Sequence, residues 1–266
     1  MNFKPVIPLS GYTGWRFLQR TLDTQQAAFA NSASVARATD QFREKIGEVR
    51  SAADLMADRD MLQVALGAFG LDDDIGNKYF IQKVLEEGTL NEDALANKLS
   101  DSRYADLSEA FGFGDLDTPR TVLSTFADEI IDRYEARQFE RAVGDQDNAM
   151  RLALNTGPAL ADITASGSNN AQWFSMMGNA AMRTVFEGAL GFPSSFGAID
   201  LDQQLTEFKA RAQATFGTDQ MSEIASDESQ EKLIRLYMLR SETSSTGGFS
   251  SGSVALSLLQ SAGSLY

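Results

Sequence analysis

The ten residues ALGAFGLDDD, from Ala65 to Asp74, decide the fold that the sequence predicts. In them an apolar run ends in a glycine, another apolar residue follows, and three aspartates come next. The same order returns as SEAFGFGDLD at Ser108–Asp117 and, more loosely, as EGALGFPSSFGAIDLD at Glu187–Asp202. A glycine followed by clustered aspartates is typical either of a binding site or of a junction between two helices.

The chemistry of helix ends favours the junction. A glycine just beyond a helix adopts the left-handed backbone conformation at low cost, and the next apolar residue folds back on the last turn. Gly70, Gly112 and Gly191 fit this position. Aspartate accepts hydrogen bonds from the free N–H groups that begin a helix. The aspartates expected to open the following helices are Asp72–Asp74 and either Asp200 or Asp202.

Helical patterns run through most of the chain, and strand patterns are nearly absent. Apolar residues recur at the helical spacing of three and four, and Gly, Asp, Ser or Thr separates the runs. Thr118 followed by Pro119 is expected to start one long helix and Gly144 to end it. The sequence therefore predicts an all-α fold of about nine or ten helices joined by Gly-capped helix–turn–helix connectors.

The recurring stretches raise the question of internal repeats. Ala68 and Ala110 occupy the same place in the first two stretches, at a spacing close to that of helical-repeat arrays. The flanking residues do not align well, since Val64 corresponds to Asp106. Shared capping chemistry therefore explains the likeness without duplication, and true repeats stay as the alternative.

Composition shifts predict the division of the chain. Pro5 and Pro8 disfavour a helix near the start, and Ser and Gly dominate after residue 240. A polar stretch with Gly157 and Pro158 is the best internal loop. The predicted segments are an extended arm over 1–12, helical halves or domains over 13–155 and 171–240, a loop over 156–170 and a mobile tail over 241–266, with 13–240 as one domain in the alternative.

The charge and the missing residue types exclude several classes of function. The net charge of −14 repels phosphate groups, so nucleic acid and anionic membranes are poor partners. The chain has no Cys and no His. Thiolate chemistry, Cys-ligated zinc and His-based triads are therefore excluded. No apolar run is long enough for a membrane span, and the start does not resemble a signal peptide, which predicts a cytoplasmic protein or export without a cleaved signal.

The acidic clusters do not have the spacing of a metal site. A calcium loop that began at Asp72 would need glycine at its sixth place and glutamate at its twelfth. The chain has Gly76 at the fifth place and Lys83 at the twelfth. The stretches GFSSG at 248–252 and SQEK at 229–232 match hydrolase patterns, but the partner motifs of those enzymes are absent. The sequence thus predicts no catalytic, cofactor or metal residue.

An apolar cluster beside the N-terminal arm is the best candidate for binding a protein partner. It consists of Trp15, Phe17, Leu18 and Leu22. Trp15, Leu18 and Leu22 fall on one helical face together with Phe29, and the alternative is that this face docks on its own domain. The tail offers a second apolar segment, Val254–Leu259. A protein partner is expected at the two ends of the chain, and the oligomeric state stays open.

Several longer stretches resemble an alphaproteobacterial family of unknown function. They are MLQVALGAFGLDDD, FIQKVLEEGTL, ALANKLSDSRYADLSEAFGFGD, RTVFEGALGFP and DLDQQLTEFKARA, and the similarity extends over roughly residues 13–240. The resemblance implies an all-helical protein whose gene often lies among flagellar genes. It supplies no catalytic residue to carry over.

Two functions from different classes follow. The first is a non-enzymatic structural or protein-interaction protein. The resemblance implies that such a protein would be an accessory factor in flagellar assembly. The second is a hydrolase that works with carboxylates alone, such as a helical glycan hydrolase with a glutamic acid as proton donor. A buried glutamate in an open cleft would favour the enzyme, and an exposed apolar surface would favour the interaction protein.

Overall fold

The computed structural model describes residues 3–245, and every regular element in that range is helical. The α-helices are α1 (Gly11–Ala30), α2 (Ala33–Lys45), α3 (Ala52–Ala57), α4 (Arg59–Ala68), α5 (Lys78–Glu87), α6 (Leu95–Lys98), α7 (Arg103–Phe111), α8 (Phe126–Gly144), α9 (Asn148–Thr164), α10 (Asn169–Gly178), α11 (Ala180–Leu190), α12 (Leu201–Phe216), α13 (Met221–Ile224) and α14 (Asp227–Ser245). Four short 3-10 helices lie at Ile46–Glu48, Asp72–Gly76, Arg120–Val122 and Ser194–Ala198.

The predicted all-α fold is confirmed, but the number of helices was underestimated. The described range holds fourteen α-helices instead of nine or ten. The helices α3, α6 and α13 have only four to six residues each. So short a helix shows too little of the 3.6-residue periodicity to be recognised in a sequence.

The chain folds into two compact units. Unit 1 comprises the residues up to Val6 and Thr21–Ala142, and unit 2 comprises Ile7–Arg20 and the residues from Val143 onward. Both α1 and α8 therefore begin in one unit and end in the other. The division falls before α9, whereas the sequence predicts a loop over 156–170.

The predicted loop over 156–170 is wrong for the residues up to Thr164, because α9 continues through Pro158. Proline inside a helix removes one backbone hydrogen bond and crowds the preceding turn. The hydroxyl of Thr156 donates to the Leu152 carbonyl at 2.9 Å, and α9 packs against α11 and α14 in unit 2. This packing outweighs the local preference for a break.

The start of α8 also differs from the prediction. Pro119 precedes the 3-10 helix Arg120–Val122, and α8 begins only at Phe126. The Thr121 hydroxyl donates to the Val49 carbonyl at 2.7 Å. This buried contact holds the segment in place and is invisible to a pattern based on neighbouring residues.

The first residues of the chain are extended and lie against unit 1. The side-chain amide of Gln25 accepts from the Val6 N–H at 2.7 Å and donates to the Val6 carbonyl at 3.2 Å. Phe3 meets Phe29 edge to face at a centroid distance of 6.0 Å. The extended segment ends where α1 begins, at Gly11. At the other end α14 reaches Ser245, and the rest of the predicted tail lies outside the described residues.

An aromatic cluster forms much of the core of unit 2. The indole of Trp173 is fully buried, lies 5.7 Å from the Phe186 ring and 6.0 Å from the Phe208 ring, and donates to the Asp219 carbonyl at 2.8 Å. Phe192 stacks on Phe196 at 3.9 Å. The segment after Gly191 thereby contributes the buried Phe196 and the half-buried Phe192 to this cluster.

The glycine-capped connectors are confirmed. Gly70 and Gly191 both have positive φ, of 67° and 72°. The Leu71 N–H donates to the Leu66 carbonyl and the Phe192 N–H to the Glu187 carbonyl, each at 2.9 Å. These are the bonds of a helix end in which the residue after the glycine folds back on the helix. Gly112 ends α7 with the simpler single bond to Ser108.

The role of the first aspartate cluster was predicted wrongly. Asp72–Asp74 do not cap α5, whose first residue follows Asn77. They lie in a 3-10 helix, where Asp72 contacts Arg141 at 3.2 Å and accepts from Gln138 at 2.7 Å. The prediction for Asp200 is confirmed, because its side chain accepts from two backbone N–H groups that begin α12.

Two of the three recurring stretches are equivalent elements. Residues 58–71 and 179–192 align without a gap and share a Met, a Val and the pattern Gly-Ala-apolar-Gly-apolar. Asp58 and Asn179 cap α4 and α11 in the same way, each accepting from the second and third helical N–H groups. The two stretches therefore share their capping and their apolar pattern.

The equivalence extends to the packing of the preceding glycine. A Cβ at Gly67 would lie 2.7 Å from the Tyr134 ring, and one at Gly188 would lie 2.8 Å from the Tyr237 ring. Tyr134 belongs to α8 and Tyr237 to α14, so each unit packs a tyrosine of its last long helix on this glycine. The second recurrence, around Gly112, has no such features and shares only the cap.

Gly70→Val should lower the free energy of unfolding by about 1 kcal/mol or more, because a β-branched residue resists positive φ. Gly112→Val should behave alike, since Gly112 has φ of 69°. Thermal melts followed by circular dichroism measure the effect. Gly76→Ala is the control, because Gly76 has ordinary φ and open space around its Cβ position. If both valine variants melt at the wild-type temperature, the connector interpretation is wrong.

Candidate functional site

The four predicted partner-binding residues differ in their accessibility. Trp15 is 4% exposed and Leu18 is fully buried, whereas Phe17 and Leu22 are half-buried. A partner could therefore reach only Phe17 and Leu22 without opening the fold. The burial of Trp15 and Leu18 agrees with the alternative, in which this face docks on its own domain. The other predicted segment, Val254–Leu259, lies outside the described residues.

The acidic clusters are occupied by protein groups. Asp74 accepts from the Tyr104 hydroxyl at 2.7 Å and from the Asn77 amide at 2.8 Å. Burial, and then the hydrogen bond to Asp74, raise the pKa of Tyr104 to about 12. Among residues 3–245 no three Asp or Glu side chains are grouped so that they could hold a metal ion. The aspartates after Gly70 therefore connect helices within unit 1.

Unit 1 contains a clamp between two loops that the sequence analysis did not find. The Asp115 carboxylate, after α7, accepts hydrogen bonds from the loop after α5. The Thr89 N–H donates to both of its oxygens at 2.8 and 2.9 Å, the Thr89 hydroxyl donates at 2.9 Å, and the Leu90 N–H donates at 3.0 Å. From α6, the Asn97 amide donates to the Thr89 and Asn91 carbonyls at 2.8 Å each.

The backbones of the two loops touch where each has a glycine. A Cβ at Gly114 would lie 2.5 Å from the Glu86 carbonyl oxygen and 2.8 Å from the Gly88 Cα. Gly88 itself has φ of 70°. At Gly114 a Cβ would collide with backbone atoms of Glu86 and Gly88, and at Gly88 it would collide with the Asp115 carboxylate. Two glycines and one aspartate together fix the relative position of the loops.

The hydrogen bonds of the clamp also alter the acidity of Asp115. Partial burial alone would raise the pKa of Asp115, but the bonds from the Leu90 and Thr89 N–H groups and the Thr89 hydroxyl outweigh it, so this pKa lies below its usual range. A depressed folded-state pKa stabilises the protein above the unfolded-state pKa of about 4 and loses this contribution as the pH falls through the folded-state value. The Asp115 carboxyl group is therefore ionised at neutral pH, the form that accepts the hydrogen bonds of the clamp.

The clamp presents two leucines to the solvent. Leu90 is 77% exposed and Leu116 is 44% exposed, and each is adjacent to a residue of the clamp. Single exposed leucines are common on protein surfaces. Leu90 and Leu116 thus lie exposed on two loops that four hydrogen bonds and a glycine contact hold together. We call Leu90 and Leu116 the leucine patch.

The surroundings of the leucine patch are acidic. Glu92, Asp93 and Asp117 follow the two leucines within three residues and are exposed. Lys98 pairs with Asp93 at 3.0 Å. Exposed carboxylates thus outnumber the cation beside them, and we call these carboxylates the rim of the leucine patch. No sequence signal distinguished it, because GTL at 88–90 and GDL at 114–116 have the same composition as ordinary turns.

The structure does not bring together the features that would favour the hydrolase. A groove with a volume of about 340 Å³ lies beside α12 and is lined by Ile199, Asp202, Gln203, Thr206 and Glu207. Burial, and then the charge of Asp132, raise the pKa of Glu135 on α8. Glu135 does not line the groove.

The fold and the site define a class of all-α protein with two helical units, a repeated connector and a clamped apolar patch. None of the helices described is long and apolar enough to cross a membrane. The chain belongs to the DUF1217 family, described as a protein of unknown function, whose family model matches residues 68–247. The predicted membership of an uncharacterised family is thereby confirmed.

One solved structure shares most of the fold. The crystal structure of protein AGR_C_984 from Agrobacterium tumefaciens is 28% identical in sequence and superposes with a TM-score of 0.71. The match covers 91% of the present chain and 99% of that protein. No curated protein matches the chain.

Proposed function

We propose that the protein is a non-enzymatic interaction protein and that it binds a protein partner through the leucine patch. The observation that carries the proposal is the clamp, which fixes the two loops on which Leu90 and Leu116 are exposed. Exposed apolar side chains on fixed loops are typical of binding surfaces, since rigid scaffolds position the loops that carry function.

Rigidity matters for the energetics of such a surface. Ordering loops and side chains on association costs free energy, and a surface that is already ordered avoids this cost. Asp115, Gly88 and Gly114 order the loops in the free protein. Burying the two leucines against a partner then contributes up to about 1.5–3 kcal/mol for each side chain that becomes fully buried.

The biological setting that we propose is flagellar assembly, with the protein as an accessory factor. The support is the resemblance to a family whose genes often lie among flagellar genes. The half-buried Phe17 and Leu22 and the C-terminal segment 246–266 remain proposed as additional contacts. Deletion of residues 1–33 would remove the buried Trp15 and Leu18, so the informative truncation is that of 246–266 alone.

Deletion of the gene in the native host should impair swimming, and restoration with the wild-type gene should recover it. Restoration with the Leu90→Ser/Leu116→Ser variant should fail, because the apolar contact is lost. The matched control is Leu201→Ser, which replaces a leucine that is 51% exposed in unit 2. Swimming radius in soft agar, with immunoblots for protein level, measures the result.

Two outcomes would overturn these proposals separately. Normal swimming of the deletion strain would remove the flagellar setting. Full recovery by the double-serine variant, in a strain that needs the gene, would remove the leucine patch as the binding surface.

A further inference from the structure

The geometry of the leucine patch points to the chemistry of its partner. We propose that the patch docks a segment of another protein in which apolar side chains are flanked by Lys or Arg. This inference rests on the proposed function and adds the charge of the partner to it.

The charges beside the patch support a cationic partner. The exposed carboxylates that follow the leucines in the chain are Glu92, Asp93 and Asp117, and the next cations along the chain are Lys98 and Arg120. Lys98 is paired with Asp93. The Asp115 carboxylate receives only neutral hydrogen-bond donors in the clamp, so its negative charge adds to the rim. The two loops thus carry four carboxylates, and the next cations along the chain are two.

Arg120 does not change the sign of the net charge of this rim. Its side-chain stem lies 3.7 Å from the Cβ position at Gly112, which places it near the base of the second loop. One guanidinium can balance at most one of the remaining carboxylates. The rim therefore keeps a net negative charge, which attracts and orients cationic groups before contact.

The same charges disfavour the other occupants. A symmetric dimer would bring the patch of one copy against the identical patch of a second copy. The carboxylates around both patches would then repel each other. Phosphate groups of nucleic acids and anionic lipids are repelled for the same reason. A segment with leucine-like side chains between basic residues would place its apolar side chains against Leu90 and Leu116 and its basic groups near the carboxylates.

The test uses the full chain and two labelled peptides of about 18 residues, or five helical turns. Both peptides have leucine at helical spacing, and the remaining positions are lysine in one and glutamate in the other. Fluorescence anisotropy measures binding at low and at physiological ionic strength. We expect the lysine peptide to bind and the glutamate peptide to bind at least about tenfold more weakly. Binding should weaken as salt rises.

The variants separate the apolar contribution from the charged one. Leu90→Ser/Leu116→Ser and Glu92→Lys/Asp117→Lys should each weaken binding of the lysine peptide at least about tenfold. The matched control, Asp202→Lys/Glu207→Lys, changes the net charge equally in unit 2 and should alter the affinity less than about twofold. Circular dichroism melts establish that each variant is folded.

The inference and the proposed function fail in different ways. If both charge variants weaken binding equally, the attraction is to the net charge of the chain and the inference is wrong. The same holds if neither the leucine nor the rim variant affects the lysine peptide, or if the chain forms a dimer that Leu90→Ser/Leu116→Ser abolishes. The proposed function would still stand in these cases if the leucines are needed for swimming.

Discussion

Trp173→Ala should lower the free energy of unfolding by about 3–5 kcal/mol, the range found when a large buried aromatic side chain is truncated. The indole is fully buried in unit 2 and contacts Phe186 and Phe208. Its loss removes these contacts and leaves the Asp219 carbonyl without the indole donor. Denaturant unfolding followed by circular dichroism at 222 nm, a standard helix signal, measures the change.

The neighbouring residue offers a close control. Phe174 lies on the same helix and is exposed, so Phe174→Ala should cost less than about 1 kcal/mol. A loss of similar size for the two variants would show that Trp173 is not the centre of the aromatic core. The comparison is made within one helix, so differences in helix propensity between the sites are small.

Gly114→Ala should lower the free energy of unfolding by about 1–3 kcal/mol and release the clamp. The added methyl group would meet the Glu86 carbonyl oxygen and the Gly88 backbone, which cannot rotate away as a side chain could. The loops must therefore separate, and the hydrogen bonds from Thr89 and Leu90 to Asp115 weaken. Melting temperature and amide hydrogen exchange of residues 88–90 measure the two effects.

Gly47→Ala is the control for this substitution, because the Gly47 Cβ position in unit 1 has open space around it. Its free energy of unfolding should lie within about 0.5 kcal/mol of the wild-type value. If Gly114→Ala were equally stable and kept slow exchange at Thr89 and Leu90, the two loops would not be in contact. The same variant should weaken binding at the leucine patch, since the patch loses its fixed geometry.

The repeated connector shows how local signals combine with packing. The glycines at 70 and 191 can be recognised from neighbouring residues, because a cap involves only residues within one turn. Equivalence of residues 58–71 and 179–192 becomes evident when the caps, the buried Met and Val and the glycine–tyrosine contacts are compared. The Gly112 stretch looks like the other two in sequence but lacks these contacts.

The sequence by itself determined the all-α class, the glycine-ended helices and the exclusion of Cys and His chemistry. These depend on residue type and on contacts within about one helical turn. Tertiary structure alone decided that α9 continues through Pro158, that Asp72 binds α8 instead of capping α5, and that Trp15 is buried. The tertiary structure alone also decided where the leucine patch lies. Thr89 and Asp115 are far apart in the chain, and only the packing of α5 against α7 brings their loops into contact.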